Sequence, residues 1–224
     1  MDVQPKVKQN MVAVEVIGKD HKSEKEMTEK EKSLSGMIYD ASMDNGMHEE
    51  IYRTRCLIHR LNAISPEQKE ERDRLLHSII DMATDGLIVP PFFCDYGFNI
   101  HIGKKFFANT NLCILDEAPV TIGDNVFIAP NVGLYTAGHP LDVKRRNEWK
   151  EYAYPITIGN NVWIGAQCVI LPGVTIGDDT VVAAGSVVNR SLPAGVLAAG
   201  NPCRVIRGID QEAEELREDY RPKW

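Results

Sequence analysis

The sequence predicts an all-β solenoid, a parallel β-helix, and three features predict it. The first is an aliphatic or small residue at every sixth position: Ile102, Ala108, Ile114, then Ile122, Ile128, Leu134, then Ile158, Ile164, Ile170, Ile176, Val182 and Val188. The second is another apolar or small position four residues on, at Val126, Val132, Val162, Cys168, Val174, Thr180, Ser186 and Leu192. The third is turn chemistry between them. Glycine follows Ile102, Ile122, Ile158, Ile164 and Ile176, and the pairs Asp124-Asn125, Asn160-Asn161 and Asp178-Asp179 suit corners that need positive φ or Asx turns. A period of six matches neither the 3.6 of a helix nor a heptad. It suits a chain that makes a short strand, turns, and makes another, so that three sides close a triangular coil and stacked coils bury an aliphatic column. An ordinary sheet with evenly spaced strands is the alternative, and twelve units in one register argue against it.

In chain order, residues 1–26 read as a flexible extension, because Lys19 to Glu26 is nearly all polar and charged. Residues 27–92 form the expected helical segment. Leu34, Met37 and Ile38 fall on one helical face, a turn follows at Asp44-Asn45-Gly46, and a second helix is predicted from about Glu49 to Leu61. Ser65 with Pro66 and Gln68 resembles a helix start; the third helix should carry Leu75, Leu76, Ile79, Ile80 and Met82 and stop at Gly86. Val89 to Phe93 then leads into the β-helix, placed at residues 93–208. Its register breaks twice. Eight residues separate Ile114 from Ile122, which predicts a two-residue excursion near Asp116-Glu117-Ala118-Pro119. Residues 139–155 lack the pattern and are expected to form a loop thrust from one corner, where a long loop in a solenoid usually carries function. After Leu192 the repeat decays. Residues 209–224 are the expected C-terminal cap, with a short polar helix at Glu212 to Tyr220.

The formal charge of −7 argues against nucleic acid or an anionic membrane as a partner, so an anionic ligand would need a local basic cluster. The five cysteines are scattered and never spaced as a metal pair, which reads as reduced thiols. No secretory signal opens the sequence and no apolar run reaches the roughly 18 residues of a membrane span, so a cytoplasmic location is expected.

Chemistry-bearing residues within this frame are few. His139 stands where the repeat gives way to the loop and reads as a general base working near neutrality or as a surface histidine. His101 reads as an outward residue beside a corner. Two histidines fall short of the three a zinc hydrolyase of this fold would use, so no metal is expected. Asn109 suits an oxyanion contact or a plain corner asparagine. Arg204 and Arg207, three apart, suit a phosphate clamp or a solvated pair. No nucleophilic Ser or Cys stands beside a base in a motif, which points to direct transfer.

The runs Cys94 to Gly103, Phe107 to Asn111, Ile122 to Pro140, Pro155 to Gly165 and Gly200 to Ile206 resemble the hexapeptide-repeat sugar O-acetyltransferases of the maltose/galactoside group. The likeness spans roughly residues 28–210, and Met27 to Asp85, with Tyr39-Asp40, resembles that group's N-terminal domain. The resemblance implies a left-handed coil, an exception to the usual right-handed crossover. It implies acetyl-coenzyme A as co-substrate, a sugar acceptor, and a homotrimer with its sites between subunits. It places the base at His139 and a contact to the reacting groups at Asn109. Trp163, Ala166, Ala184, Asn189, Arg190, Arg204 and Arg207 fall on coenzyme positions, Ala166 and Asn189 replacing the serine and threonine of galactoside-type relatives. Asp40, Asp95 and Glu117 fall on acceptor positions, with Arg53 a further one at a stretched spacing from Asp40. The implied activity is acetyl transfer to a sugar hydroxyl. The alternatives are a non-sugar acceptor and a non-catalytic β-helix scaffold.

Overall fold

The hexapeptide positions become the inside of a three-sided coil of about six turns. The computed structural model describes residues 27–42 and 44–210. The first side stacks Asp81–Met82, Ile100–Ile102, Val120–Ile122, Ile156–Ile158 and Thr175–Ile176. On the second side are Leu87–Ile88, Phe107–Ala108, Phe127–Ile128, Trp163–Ile164, Val181–Val182 and Val196–Ala199, and the third holds Phe92–Cys94, Leu112–Leu115, Gly133–Tyr135, Val169–Ile170 and Val187–Val188. Neighbouring coils pair in parallel until the last, where Arg204–Gly208 runs antiparallel to Val196–Ala199. Ile114, Ile128, Leu134, Ile156, Ile164 and Ile170 are fully buried. Each such side chain contributes about 1.5–3 kcal/mol by leaving water, which is what makes strands of two or three residues stable here.

The corners explain the turn residues. Lys105, Asn125, Asn161 and Asp179 all take positive φ at equivalent places in successive coils. Side chains there bond the coil above or below: Asp178 Oδ1 accepts from the Asn160 amide at 2.7 Å, and Asn161 Nδ2 donates to Asp179 Oδ1 at 2.8 Å. Coils lie about 4.8 Å apart, so a Cβ on Gly123 would come within 2.8 Å of the Gly159 carbonyl carbon. Glycine at that corner is required by the stacking itself.

Four expectations need correction. Helix α1 (Glu29–Leu34), with a Thr28/Glu31 capping box, ends before Met37 and Ile38, and the strand Tyr39–Asp40 follows. Helix α2 (Asn45–Ala63) begins earlier than expected because Asp44 caps it, its carboxylate accepting from the Met47 amide. Ser65-Pro66-Glu67-Gln68 is a closed turn rather than a helix start, so helix α3 is only Lys69–His77. The chain leaves helix there because Ile79, Ile80 and Met82 are drawn into the end of the solenoid core, and Asp81–Met82 pairs with His101–Ile102. Tertiary pairing overrides local propensity, and the first coil starts at Asp81, not at residue 93. The fourth correction concerns 139–155, which is an arm with structure of its own. Ala137–Gly138 pairs antiparallel with Tyr152–Ala153, Lys150–Ala153 pairs on its other edge with Tyr39–Asp40, and helix α4 (Val143–Asn147) sits at the tip, capped by Asp142. The extension at 1–26 and the helix expected at 212–220 lie outside the described residues.

The excursion at Asp116 is where expected, and its physics is specific. Fully buried, Asp116 accepts backbone N–H bonds from Asp95, Tyr96 and Gly97 at 3.1, 2.9 and 2.7 Å. It therefore fixes the loop of the coil below, which carries Asp95. Replacing Asp116 with Ala orphans three buried donors, and at about 1–3 kcal/mol per orphan the expected loss is about 3 kcal/mol or more in denaturant unfolding. A loss below about 1 kcal/mol would contradict this account.

Candidate active site

A cavity of about 550 Å³ opens between α2, the Asp116 excursion and the arm. Carboxylates and aromatic rings line it: Asp95, Glu117 and Glu151 with Tyr39, Tyr96 and Trp149. Helix α2 closes one wall by turning Met47, Thr54, Ile58 and Leu61 inward, and Asn62 bonds both backbone groups of Phe92 at the end of the coil. Asp95 is nearly buried and stands 3.6 Å from Arg55, also on the lining. Burial, and then the charge of Asp95, push the Glu117 carboxyl up to about 9. At neutral pH, Glu117 thus holds a proton that it can donate.

His139 stands at the base of the arm, beside this cavity. Its Nδ1 is 3.0 Å from the Lys150 carbonyl oxygen. A carbonyl only accepts, so Nδ1 carries the proton and the neutral ring leaves its lone pair on Nε2. Nε2 faces Glu151 Oε1 at 3.8 Å, and the Tyr39 hydroxyl donates to Glu151 Oε2 at 2.6 Å. Lys150 Nζ binds Asp40 Oδ2 at 2.8 Å, which holds the Asp40 carboxyl below the usual carboxylate range.

A second cavity, about 440 Å³, lies on the second side of the prism against Phe107, Asn109, Phe127, Pro130 and Trp163. Asn109 Oδ1 accepts its neighbour Thr110's amide at 2.8 Å, so its NH₂ is the group left to donate. Along the same corner a Cβ on Gly165 would lie 2.5 Å from the Ala184 amide nitrogen. The small side chains of Ala166 and Ala184 keep this edge shallow. Arg204 Nη1 reaches Asn189 Oδ1 at 3.4 Å and the Cys203 carbonyl at 2.7 Å, and Arg190 is exposed nearby in sequence. Arg207 Nη1 donates to the Gly208 carbonyl at 3.1 Å.

The predicted residues therefore fall in two groups. Asp95 and Glu117 share the larger cavity with His139 at its edge; Asn109 and Trp163 share the smaller. Asn109 sits at the corner between second and third sides and His139 at the corner between third and first. A strand of four residues, roughly 13 Å, spans the side between such corners, so one chain does not bring His139 and Asn109 together. Asp40 is engaged by Lys150 and does not line the larger cavity, and Arg53 is exposed and off it. Arg55, two residues on along the helix, is the arginine that reaches Asp95. Glu151 was missed; its signal is its place opposite His139 in the unpatterned segment. His101 points outward to Asp81, 3.0 Å away, and no cluster of three metal-ligating side chains occurs among the described residues.

This fold and this pair of cavities define a hexapeptide-repeat transferase. Residues 155–190 match the pattern "Bacterial transferase hexapeptide (six repeats)" and residues 32–81 the "Maltose acetyltransferase hexapeptide capping motif". The chain is 51% identical over 192 residues to an acetyltransferase-like protein of Saccharomyces cerevisiae, covering 85% of this chain and 97% of the relative. It is 45% identical over 193 residues to the galactoside O-acetyltransferase of Escherichia coli, covering 85% and 95%. A solved galactoside acetyltransferase in complex with coenzyme A superposes with a TM-score of 0.81 at 42% identity, over 88% of this chain and all of that one. A maltose O-acetyltransferase from Clostridium difficile gives 0.78 at 44% identity over 83% and 99%. The chain belongs to the galactoside/maltose O-acetyltransferase family, and its coil is that family's left-handed β-helix.

The Glu117 shift has a consequence for stability. The folded chain holds a proton that the unfolded chain releases above its ordinary value of 4.5, up to about pH 9. This residue therefore makes stability fall as pH rises through that window. Glu117→Gln should flatten the fall in thermal midpoint between about pH 4.5 and about 9, and a variant whose midpoint tracks wild type across it would refute the assignment.

Proposed function

We propose that this protein transfers an acetyl group from acetyl-coenzyme A to a hydroxyl of a small sugar, as a homotrimer whose sites form between neighbouring prisms. The observation that carries the reading is His139 Nε2, left with its lone pair by the Lys150 bond, beside a cavity of carboxylates and aromatic rings. Carboxylic groups pair with sugar hydroxyls, and ring faces suit the apolar faces of a pyranose. The named relatives include a galactoside and a maltose O-acetyltransferase, and one solved acetyltransferase relative is complexed with acetyl-coenzyme A. A non-catalytic scaffold would not need a fixed histidine tautomer beside such a cavity.

In this reading, Asp95 and Glu117 orient the acceptor and His139 Nε2 takes its hydroxyl proton as the oxygen attacks the thioester carbonyl. The Asn109 NH₂ of a neighbouring copy donates to the oxygen that gains charge. The carbon–sulfur bond then breaks, and His139 returns its proton to the leaving thiol, so the products are the acetyl ester and coenzyme A. Trp163, Ala166 and Ala184 line the open edge along which the coenzyme lies. Arg190, Arg204 and Arg207 supply the local positive site that a chain of net charge −7 needs for phosphates, with the neutral amide of Asn189 beside Arg204. The division of His139 and Asn109 between two corners supports a shared site, because a second prism brings one copy's Asn109 to the other's His139.

Two measurements test this. His139→Ala should lower kcat about 10²–10⁴-fold with little change in acetyl-coenzyme A affinity; a variant keeping more than half the wild-type rate would sink the role. Co-assembled His139→Ala and Asn109→Ala chains, each inactive alone, should regain about a quarter of wild-type activity, since random trimers pair two intact donors at about one site in four. No recovery in mixed trimers would overturn the shared site.

A further inference from the structure

We infer that Glu151 and Tyr39 are positioning residues for His139, set in one row across the arm's three-stranded sheet. The inference rests on His139 being the base. Tyr39 lies directly opposite Glu151, and the pairing of Gly138 with Tyr152 puts His139 opposite Glu151 on the other edge. Directly opposed residues of antiparallel strands share a face of the sheet, so the three side chains stand side by side.

The distances assign the roles. At 3.8 Å, Glu151 is beyond hydrogen-bonding reach of Nε2 but within ion-pair range. The carboxylate therefore leaves the lone pair to the acceptor's hydroxyl while standing ready to stabilise the imidazolium that forms. Something must keep Glu151 from swinging onto Nε2 or into the cavity, and the Tyr39 hydroxyl does so at 2.6 Å from within the core, with Tyr39 only 1% exposed. Burial, and then Glu151 itself, drive the phenol above its ordinary value of 10, so it stays a donor throughout the working pH range. The same two-residue strand holds the other side of the ring: Asp40 binds the Lys150 ammonium, and the Lys150 carbonyl holds Nδ1–H. Tyr39–Asp40 thus ties the N-terminal segment, otherwise a cover for the coil, to the electrostatics of the base. The charged group facing His139 is Glu151, with Tyr39 behind it and Lys150 engaged by Asp40; Glu117, also on the cavity lining, is protonated at neutral pH and adds charge beside Tyr39 only when it ionises.

The test uses the full-length protein and follows acetyl transfer to its best sugar acceptor against pH. Glu151→Gln keeps the shape and removes the charge. It should lower kcat about tenfold or more and move the acid limb of the pH–rate profile to lower pH, because the imidazolium loses its partner, with KM for acetyl-coenzyme A unchanged. Tyr39→Phe keeps the ring and should lower kcat several-fold, and it carries the test alone should Glu151→Gln fail to assemble. Adding Glu151→Gln to His139→Ala should cost nothing more, as expected of residues acting through one group. A Glu151→Gln enzyme within twofold of wild-type kcat and with an unmoved acid limb would overturn the inference while leaving His139 as base. Full activity of His139→Ala would overturn both.

Discussion

The rest of this structure depends on the close stacking of equivalent residues one coil apart. Two- and three-residue strands have no stability of their own. They persist because each inward Ile, Leu or Val packs on its counterpart above and below, as Ile114 on Leu134 and Ile128 on Ile164. The corners add a second set of vertical contacts through Asn and Asp side chains, from Asn111–Asn131 to Asn161–Asp179. Because contacts within the coil are to neighbouring coils, the solenoid is nearly one-dimensional, and its stability is shared along its length.

Departures from that repetition are where chemistry becomes possible. A perfect prism offers only flat sides. The two extra residues at Asp116 lift Glu117 out of the side, and the Asp116 carboxylate anchors the loop bearing Asp95 in the coil below by accepting from its backbone amides. The arm does the same for His139 on a larger scale, and its antiparallel strands supply cross-strand neighbours that a parallel coil cannot. The N-terminal segment then covers the end of the coil and closes the cavity, with Tyr39 buried in the arm sheet and α2 lying against Phe92–Cys94.

A division of labour follows from the topology. The second side and its corner, with Asn109 and Trp163, are built from regular coils; the corner with His139 is built from insertions. Within one prism a whole side separates these parts, so the regular coils and the insertions present their polar groups at different corners.

The sequence by itself determined the solenoid, because a period of six with small or turn residues between can bury its aliphatic column in no other way. It also located the excursion at Asp116 and the arm, since a repeat makes its own interruptions visible, and the single histidine at the arm's base stood out for that reason. Other features were decided by tertiary structure. Ile79 to Met82 reads as helix yet forms the first coil, because the open end of the core needs covering. Asp40 is bound by Lys150, a residue 110 positions away. The contacts of Glu151 with His139 and of Arg55 with Asp95 are invisible in the sequence because they depend on which side chain faces which across elements far apart in the chain. Periodicity encodes burial, which is set by position within a repeat, whereas electrostatic partnership is set by the docking of one element on another.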